Sequence, residues 1–152
     1  MELYQICYRA RINWSGLRRD LDSEIDRALA QIRRINRRGG VTGALLLGKS
    51  HFLQFLEGAP GPVLDTLYCV MQDRRVTDLE AVFHEPATER LFPNSLMFHR
   101  NLASGAVIQT YPGLHALVDE QDRLTRGNGY SALACFSGDV RESGVTNGMM
   151  LV

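Results

Sequence analysis

The chain has 152 residues, enough for one domain with its own hydrophobic core, and its composition is that of a globular protein. Its formal net charge is zero, which excludes a general electrostatic attraction to nucleic acid or to a membrane surface. No apolar run approaches the ~20 residues needed to cross a bilayer, and the first residues lack the pattern of a signal peptide. We therefore expect neither nucleic acid nor a membrane as a partner.

The cysteines and histidines indicate a reduced protein without a metal site. Cys7, Cys69 and Cys135 are widely separated and show no CxxC spacing, which is typical of free thiols in the cytoplasm. The four histidines are also isolated, so no group of residues has the spacing of metal ligands. We therefore expect a cytoplasmic protein with no bound metal.

The first predicted elements are a strand and a long amphipathic helix. Aromatic and β-branched residues favour a strand from Leu3 to Arg9, and its period of two places Tyr8 and Cys7 on opposite faces. After a loop that carries Trp14, apolar residues recur at spacings of three and four, which predicts a helix with one apolar stripe. The stripe consists of Leu21, Ile25, Ala28, Leu29, Ile32 and Ile35. The Gly39-Gly40 pair ends the helix.

Polar residues in the last turns of this helix allow two interpretations each. Asn36 follows the apolar stripe and is either a local cap, the commoner role of Asn near a helix end, or a residue that faces the core. Four arginines of the same region indicate a solvated helix end, where cations suit the helix dipole, rather than an anion site. They are Arg33, Arg34, Arg37 and Arg38.

The stretch from Val41 to Gly58 predicts a buried hairpin. Two short apolar runs flank the polar break Gly48-Lys49-Ser50, and each run has the length of a strand rather than of a helix. Gln54 lies in the middle of the second run, where a buried amide must find hydrogen-bond partners or cost roughly 1–3 kcal/mol. Either the core satisfies this amide or a ligand does.

The same hairpin contains the pattern GxxxxGK[ST] from Gly43 to Ser50, which normally marks a phosphate-binding loop. Such a loop needs free backbone N–H groups and a helix that begins directly after it. Here the residues after Ser50 alternate as a strand, so we expect no nucleotide site. Without a nucleophile–base pair or a carboxylate dyad, the sequence does not predict an enzyme.

The next elements complete a ferredoxin-like pattern. A second helix is predicted over residues 63–71, a fourth strand from Asp78 to His84 with a loop after it, and a fifth strand from Ser95 to His99. On that fifth strand Ser95, Met97 and His99 would share one face. The order is βαββαβ with an additional fifth strand, which predicts an α+β ferredoxin-like sandwich with both helices on one face of the sheet.

The last fifty residues are less regular. We expect a short helix over Leu114–Leu124, another short segment over Tyr130–Phe136, and a flexible tail rich in Gly, Ser and Asn. The interpretation is therefore a domain over residues 1–101 followed by an extension over residues 102–152.

Several motifs in this order resemble the BLUF family, the blue-light sensors that use flavin, in its short single-domain form. The resemblance covers about residues 2 to 101. It is carried by Leu3-Tyr4 through Tyr8, Asn36 with Val41–Leu45, Phe52–Gly58, Glu85-Pro86, Arg90 and Phe92-Pro93 through Met97. It implies the ferredoxin-like fold described above, with the flavin held between the two helices.

The resemblance also implies roles for individual residues. Tyr8 would donate an electron to the light-excited flavin, Gln54 would lie between Tyr8 and the flavin edge, and Met97 would sense the switch. Asn36 would bind a flavin carbonyl, Arg75 would lie close to the flavin, and helix residues such as Ile32 would pack on its ring. The cofactor would be FAD, with FMN or riboflavin as alternatives. The partners would be an unidentified downstream protein and a further copy of the chain.

Two positions depart from the family pattern. Ser95 occupies a position where many members have Trp, and Ile35 replaces a polar residue next to the asparagine. Both departures affect the expected output more than flavin binding. The alternative function is therefore a flavin-binding or protein-interaction module without a photocycle, in which Tyr8 and Gln54 have structural roles.

Overall fold

The computed structural model describes residues 2–102, 118, 130 and 133–139. The elements follow the order β1 (Leu3–Ile12), a 3-10 turn (Trp14–Gly16), α1 (Leu21–Gly39), β2 (Thr42–Leu47), β3 (His51–Gly58), α2 (Pro60–Met71), β4 (Val76–Ala87) and β5 (Phe98–Asn101). The predicted βαββαβ order with a fifth strand is confirmed, and residues 133–139 form a C-terminal helix.

The five strands form one mixed sheet in the order β4-β1-β3-β2-β5. The neighbours are antiparallel except β2 and β5, which run parallel. In the register of β1 and β3, Tyr8 lies directly opposite Gln54. Residues opposite each other in an antiparallel pair project from the same face, with Cβ atoms about 4.5–5.5 Å apart. The register therefore brings these two side chains together.

The two faces of the sheet carry separate apolar cores. Tyr8 and Leu56 belong to the core under α1 and α2, whereas Cys7 and Phe55 belong to the core on the other face. Both predicted helices therefore pack on one face, as expected, and Tyr8 and Cys7 point to opposite faces. The second face is covered by the C-terminal helix, whose Phe136 ring lies 5.9 Å from that of Phe98.

Local sequence explains both ends of α1. The Asp20 side chain accepts a hydrogen bond from the Ser23 backbone N–H and caps the first turn. At the other end Gly40 adopts a left-handed conformation with φ of 68°, which a residue without Cβ takes at little cost. The predicted end at the Gly39-Gly40 pair is confirmed.

The boundaries of β1 and β4 differ from the prediction. β1 continues to Ile12 because Arg11 still pairs with His51, and β4 spans Val76–Ala87 because β1 is long enough to pair with it throughout. Residues 85–87, predicted as loop, belong to this edge strand, where the missing N–H of Pro86 is tolerated.

The fifth strand begins later than predicted, at Phe98, so Ser95 and Met97 precede it and do not share a strand face with His99. The physical reason is that α1 captures the carbonyl groups just before the strand. The Asn36 side chain binds the Leu96 carbonyl and the Arg33 side chain binds the Met97 carbonyl, so neither is available to a strand partner.

The expectation of a solvated arginine cluster was wrong for Arg33, which is buried against that loop, while Arg37 and Arg38 are exposed. The interpretation of the hairpin was correct, because residues 43–50 form a strand and a turn that lead into β3, not into a helix.

The C-terminal predictions can be compared only in part. The helical residues 130 and 133–139 agree with the short segment expected over Tyr130–Phe136. The helix expected over Leu114–Leu124, apart from the buried Val118, and the tail lie outside the described residues. No helix within the described ranges has the length and apolar character required to span a bilayer.

Candidate functional site

An apolar slot lies between α1, α2 and the face of the sheet that carries Tyr8. Its atom-free space, counted out to the opening toward solvent, is about 580 Å³. Apolar side chains supply most of its wall, and they include Ile12, Leu17, Leu21, Ile25, Ile32, Leu45, Leu47, Phe52, Val70 and Val76. The polar residues of the wall are Glu24, Gln54, Asp73 and Arg75. Such a slot suits a flat, largely apolar ligand with polar groups along one edge.

Tyr8 lies beneath this wall and is fully buried. Its ring meets the ring of Phe52, which lines the slot, edge to face with 6.4 Å between the centroids. The Tyr8 hydroxyl has no hydrogen-bond partner among the described residues. Burial raises the pKa of this phenol, so it keeps its proton at neutral pH. An unpaired buried hydroxyl costs about 1–3 kcal/mol, which indicates that the site is completed by a further polar group.

Gln54 faces the slot from the centre of β3. Its Nε2 group donates to the Met97 sulfur over 3.5 Å, and a thioether is a weak acceptor. An amide held in this way can turn at low cost and offer its carbonyl or its N–H₂ group to another partner. The structure therefore brings Tyr8, Gln54 and Met97 together, although Met97 lies on the loop before β5 and not on a strand.

Asn36 is buried and does not cap its own helix. Its Nδ2 group donates to the Leu96 carbonyl over 2.6 Å, and its Oδ1 atom accepts from the Thr66 hydroxyl over 2.8 Å. The side chain thus links α1 to α2 and to the loop before β5, and it does not line the slot. The local-cap interpretation was wrong, because a buried amide with partners in two other elements satisfies its polar groups there.

Sequence reasoning missed Arg33, which holds the loop that carries Met97. Its Nε and Nη2 groups both donate to the Met97 carbonyl, over 3.2 and 2.8 Å. Arg33 lies three residues before Asn36 and therefore on the same side of α1, a spacing that was visible in the sequence. Thr66, the partner of Asn36, carried no comparable signal.

Ser95 occupies a buried position beside this loop. Its side chain is 1% exposed and its hydroxyl has no partner among the described residues, while its carbonyl accepts from the Gly43 backbone N–H over 3.0 Å. Ser95 does not line the slot. Ser95 therefore lies two residues before Met97 in the chain, and its backbone is hydrogen-bonded to β2.

A network of charged side chains forms part of the slot wall. The Arg75 guanidinium donates twice to the Asp73 carboxylate, over 2.8 and 2.7 Å, and once to the Glu24 carbonyl over 3.0 Å. The Glu24 carboxylate, 1% exposed, lies 3.7 Å from Arg75 and 3.3 Å from Arg74. Ile32, predicted as a ring contact, also lines the slot. Sequence reasoning missed Glu24, which is buried, and Asp73, which is partly buried, because its apolar-stripe criterion ignores carboxylates.

The α+β fold thus presents an apolar slot with a few polar groups between its two helices and the sheet, and such a site suits a flat ligand. The chain belongs to the BLUF family, because its residues 3–98 match the family model described as sensors of blue-light using FAD. Members of this family are flavin-binding blue-light sensors.

Known proteins with similar sequences and structures agree with this membership. The photoactivated adenylate cyclase subunit alpha of Euglena gracilis is 33% identical over 96 residues, which cover 60% of this chain and 9% of that protein. The dark-state structure of the BLUF protein BlrB is 28% identical, with a TM-score of 0.69 over 88% of this chain and 96% of BlrB. A bacterial light-regulated adenylyl cyclase is 30% identical, with a TM-score of 0.64 over 74% of this chain and 32% of the cyclase. The chain thus spans only a small part of either cyclase.

The residues of the slot fit a flavin. Leu and Ile side chains from α1 and the sheet can cover the ring, and Gln54 presents an amide to its polar edge. The unpaired Tyr8 hydroxyl lies on the same face as Gln54, where a rearranged amide would give it a partner. The apolar wall suits the flavin ring, and the Gln54 amide suits its edge of N and C=O groups.

Proposed function

We propose that this chain is a blue-light photoreceptor that binds FAD non-covalently and signals through a rearrangement of hydrogen bonds. One observation carries the proposal: Tyr8 and Gln54 lie opposite each other beside the slot, with the Tyr8 hydroxyl unpaired and the Gln54 amide held by a weak acceptor. Two poorly satisfied polar groups side by side are easily rearranged.

A bound flavin supplies the absorption of blue light and the electron-accepting chemistry. Tyr8 then provides an electron and the proton on its hydroxyl oxygen, which its raised pKa keeps in place beforehand. Gln54 responds by turning or changing tautomer, so that its N–H₂ group leaves the Met97 sulfur and its carbonyl side meets a different donor.

The rearrangement reaches the backbone through Met97. The Met97 carbonyl is held by Arg33 and the neighbouring Leu96 carbonyl by Asn36, so a displacement of this loop is resisted by α1.

We assign Asn36, Arg75 and Ile32 to flavin binding. Asn36 would exchange one of its present contacts for a flavin carbonyl. Ser95, which stands where many members of the family have Trp, would tune the lifetime of the lit state.

The output of such a sensor is a change in contact with other proteins. Two of the relatives named above are adenylyl cyclases that light regulates, so a BLUF unit can act on an effector. We propose that residues 1–101 form the sensor, that the extension over residues 102–152 contributes to output, and that the chain acts in the cytoplasm as a homo-oligomer on a downstream protein. The three free cysteines fit that compartment.

An absorption spectrum before and after blue light tests the proposal. Tyr8→Phe should retain bound flavin, because the ring contact with Phe52 survives, and should lose the light-induced red shift together with its dark recovery. Tyr4→Phe is the matched control, since Tyr4 lies on the same strand face but its hydroxyl binds His84 at the surface. A normal red shift in Tyr8→Phe would refute the assigned role. Bound flavin with no shift in the unmodified chain would identify a binding module without a photocycle.

A further inference from the structure

The outer face of α2 carries an apolar stripe. Leu64, Tyr68 and Met71 follow one another at spacings of four and three residues, which places them on one side of the helix. Their exposed fractions are 51, 62 and 59%. Among the residues that the structure describes, Trp14 is the only other large apolar residue so exposed. Exposed apolar residues are usually scattered singly, so three in one stripe indicate a contact surface.

The inner side of α2 is apolar as well. Val63 and Val70 are buried in the core under the helices, and Asp65 is the only charged residue of α2. A helix that is apolar all round is normally covered on all sides. A surface helix normally carries polar residues on its outer side, so the composition of α2 indicates that a further surface covers it.

The stripe widens toward the edge of the sheet. Leu67 is partly buried, and so is Leu79 of β4, the edge strand against which α2 packs. These two residues and the stripe form one apolar surface, the α2 patch, made of Leu64, Leu67, Tyr68, Met71 and Leu79. The patch exposes on the order of 400 Å² of apolar area, since a large side chain presents roughly 150–250 Å² when fully exposed. A standard stable interface buries about 800 Å² per partner, so the patch suits a weak association.

The α2 patch is self-complementary. Leu64 precedes Tyr68 by four residues and Met71 follows it by three, so a two-fold axis at Tyr68 sets Leu64 of one copy against Met71 of the other. This antiparallel pairing brings apolar side chains together. The two Asp65 carboxylates lie about 9 Å apart along the helices, near the Debye length at physiological salt, so their repulsion is weak. The patch itself has no charged residue that would favour a charged partner instead.

We infer that two copies of the chain associate weakly through the α2 patch, as an antiparallel pair of α2 helices. The inference rests on the homo-oligomer of the proposed function and assigns the surface that forms it. Val70, on the inner side of the same helix, lines the slot. The flavin site and the contact between copies therefore share one helix.

Sedimentation equilibrium of the full flavin-bound chain in the dark, from about 1 to 300 µM, tests the inference. A contact of less than about 1,200 Å² in total is typical of weak complexes, so we expect a dissociation constant on the order of 10–100 µM. Leu64→Ser with Met71→Ser should weaken association about tenfold or more. Neither residue lines the slot, so flavin binding should be unchanged. Trp14→Ser is the matched control, because it removes an equally exposed apolar side chain outside the patch.

A pair of charge substitutions tests the antiparallel arrangement. Leu64→Lys and Met71→Glu should each weaken association, because a charge then faces an apolar side chain of the other copy. Combined in one chain, the two substitutions set opposite charges against each other across the two-fold axis. Association of the combined variant should therefore exceed that of either single variant at low salt, and about 0.5 M salt should remove the difference.

A chain that stays monomeric over the whole concentration range would overturn the inference. A dimer that Leu64→Ser with Met71→Ser leaves intact would also overturn it, as would a combined charge variant that associates no better than the single ones. The absorption spectrum separates these outcomes from the proposed function. A monomer with the light-induced red shift refutes the α2 contact and leaves the photoreceptor intact, whereas a dimer through α2 without the shift refutes the photoreceptor alone.

Discussion

Arg33 shows how much one buried side chain can decide about the site. Its two N–H groups hold the Met97 carbonyl at the point where the chain enters β5. The contact joins residues 64 positions apart, and it keeps Met97 beside Gln54. At the scale of single residues, the geometry of the proposed switch therefore depends on a cation that does not touch the slot.

Arg33→Lys should lower the free energy of unfolding by about 1–2 kcal/mol, because an ammonium group does not reproduce the two-pronged contact with the carbonyl. Arg33→Ala should cost more, since it leaves that carbonyl unpaired. Urea unfolding measures both, and dark recovery should change in the variants that still bind flavin. Arg37→Ala, at an exposed position of the same helix, should stay within about 0.5 kcal/mol of the unmodified chain. Equal effects at the two positions would contradict the assigned role.

Glu24 predicts a dependence of stability on pH. The hydrogen bond from the Arg18 backbone N–H, with the charges of Arg74 and Arg75, holds the pKa of Glu24 below its ordinary value. A carboxylate with a lowered pKa in the folded state stabilises the protein above its unfolded pKa of about 4.3, and this contribution is lost as pH falls through the lowered value. The difference in unfolding free energy between the unmodified chain and Glu24→Gln should therefore be largest at pH 6 to 7, about 2 units above the unfolded pKa. It should decline as the pH falls.

Urea unfolding of both proteins across this acid range measures that advantage. Glu80→Gln is the control, because the Glu80 side chain is 68% exposed on the edge strand and should show little such dependence. A difference between Glu24→Gln and the unmodified chain that does not change with pH would show that the ion pairs of Glu24 contribute nothing to stability.

At the scale of elements, the hairpin explains a motif that resembles a nucleotide site. The glycine at the start of the GxxxxGKS pattern, Gly43, lies in β2 directly against the Phe55 backbone carbonyl. A Cβ atom there would overlap that carbonyl, so glycine is required for close pairing of β2 and β3 and not for binding phosphate. The Gly43 N–H also holds the Ser95 carbonyl, which ties the hairpin to the loop before β5.

Gly43→Ala should destabilise the fold by about 2–4 kcal/mol, because the clash involves backbone atoms that cannot move without opening the sheet. Gly61→Ala is the matched control: nothing lies within 4 Å of a Cβ at that position of α2, and Ala has the higher helix propensity. Thermal unfolding of the two variants should therefore change in opposite directions. Comparable stability of both variants would show that the hairpin can relax around the added methyl group.

At the scale of the whole molecule, the sheet is enclosed on both sides by different parts of the chain. The slot lies under α1 and α2, while the C-terminal helix covers the opposite face with Leu133 and Phe136. Phe136 meets Phe98, the first residue of β5, and the Arg100 guanidinium lies 6.0 Å from the Phe136 ring. The helix therefore contacts the strand that directly follows Met97.

Phe136→Ala should lower the free energy of unfolding by about 3–5 kcal/mol, because the side chain is 1% exposed and leaves a cavity in an aromatic cluster. Cys135→Ala on the same helix changes an exposed residue and should have little effect. Denaturant unfolding compares the two. If Phe136→Ala is as stable as Cys135→Ala, the C-terminal helix does not form part of the cooperative unit.

The sequence by itself determined the elements and the faces of this protein. Periods of two and of 3.6 residues locate the hairpin, α1 and the opposite orientations of Tyr8 and Cys7, because these patterns reflect burial that each element imposes on its own residues. The same logic singled out Gln54 as a polar group in an apolar strand. Its place in a family motif added the expected flavin.

Only the tertiary structure decided which groups meet. The partners of Asn36 lie in α2 and in the loop before β5, Arg33 binds a carbonyl 64 residues away, and Glu24 binds Arg74, which lies 50 residues away. The start of β5 and the packing of the C-terminal helix on the second face of the sheet are likewise decided by tertiary contacts. Contacts of this kind depend on how whole elements pack, and packing leaves no periodic trace at the positions that it joins.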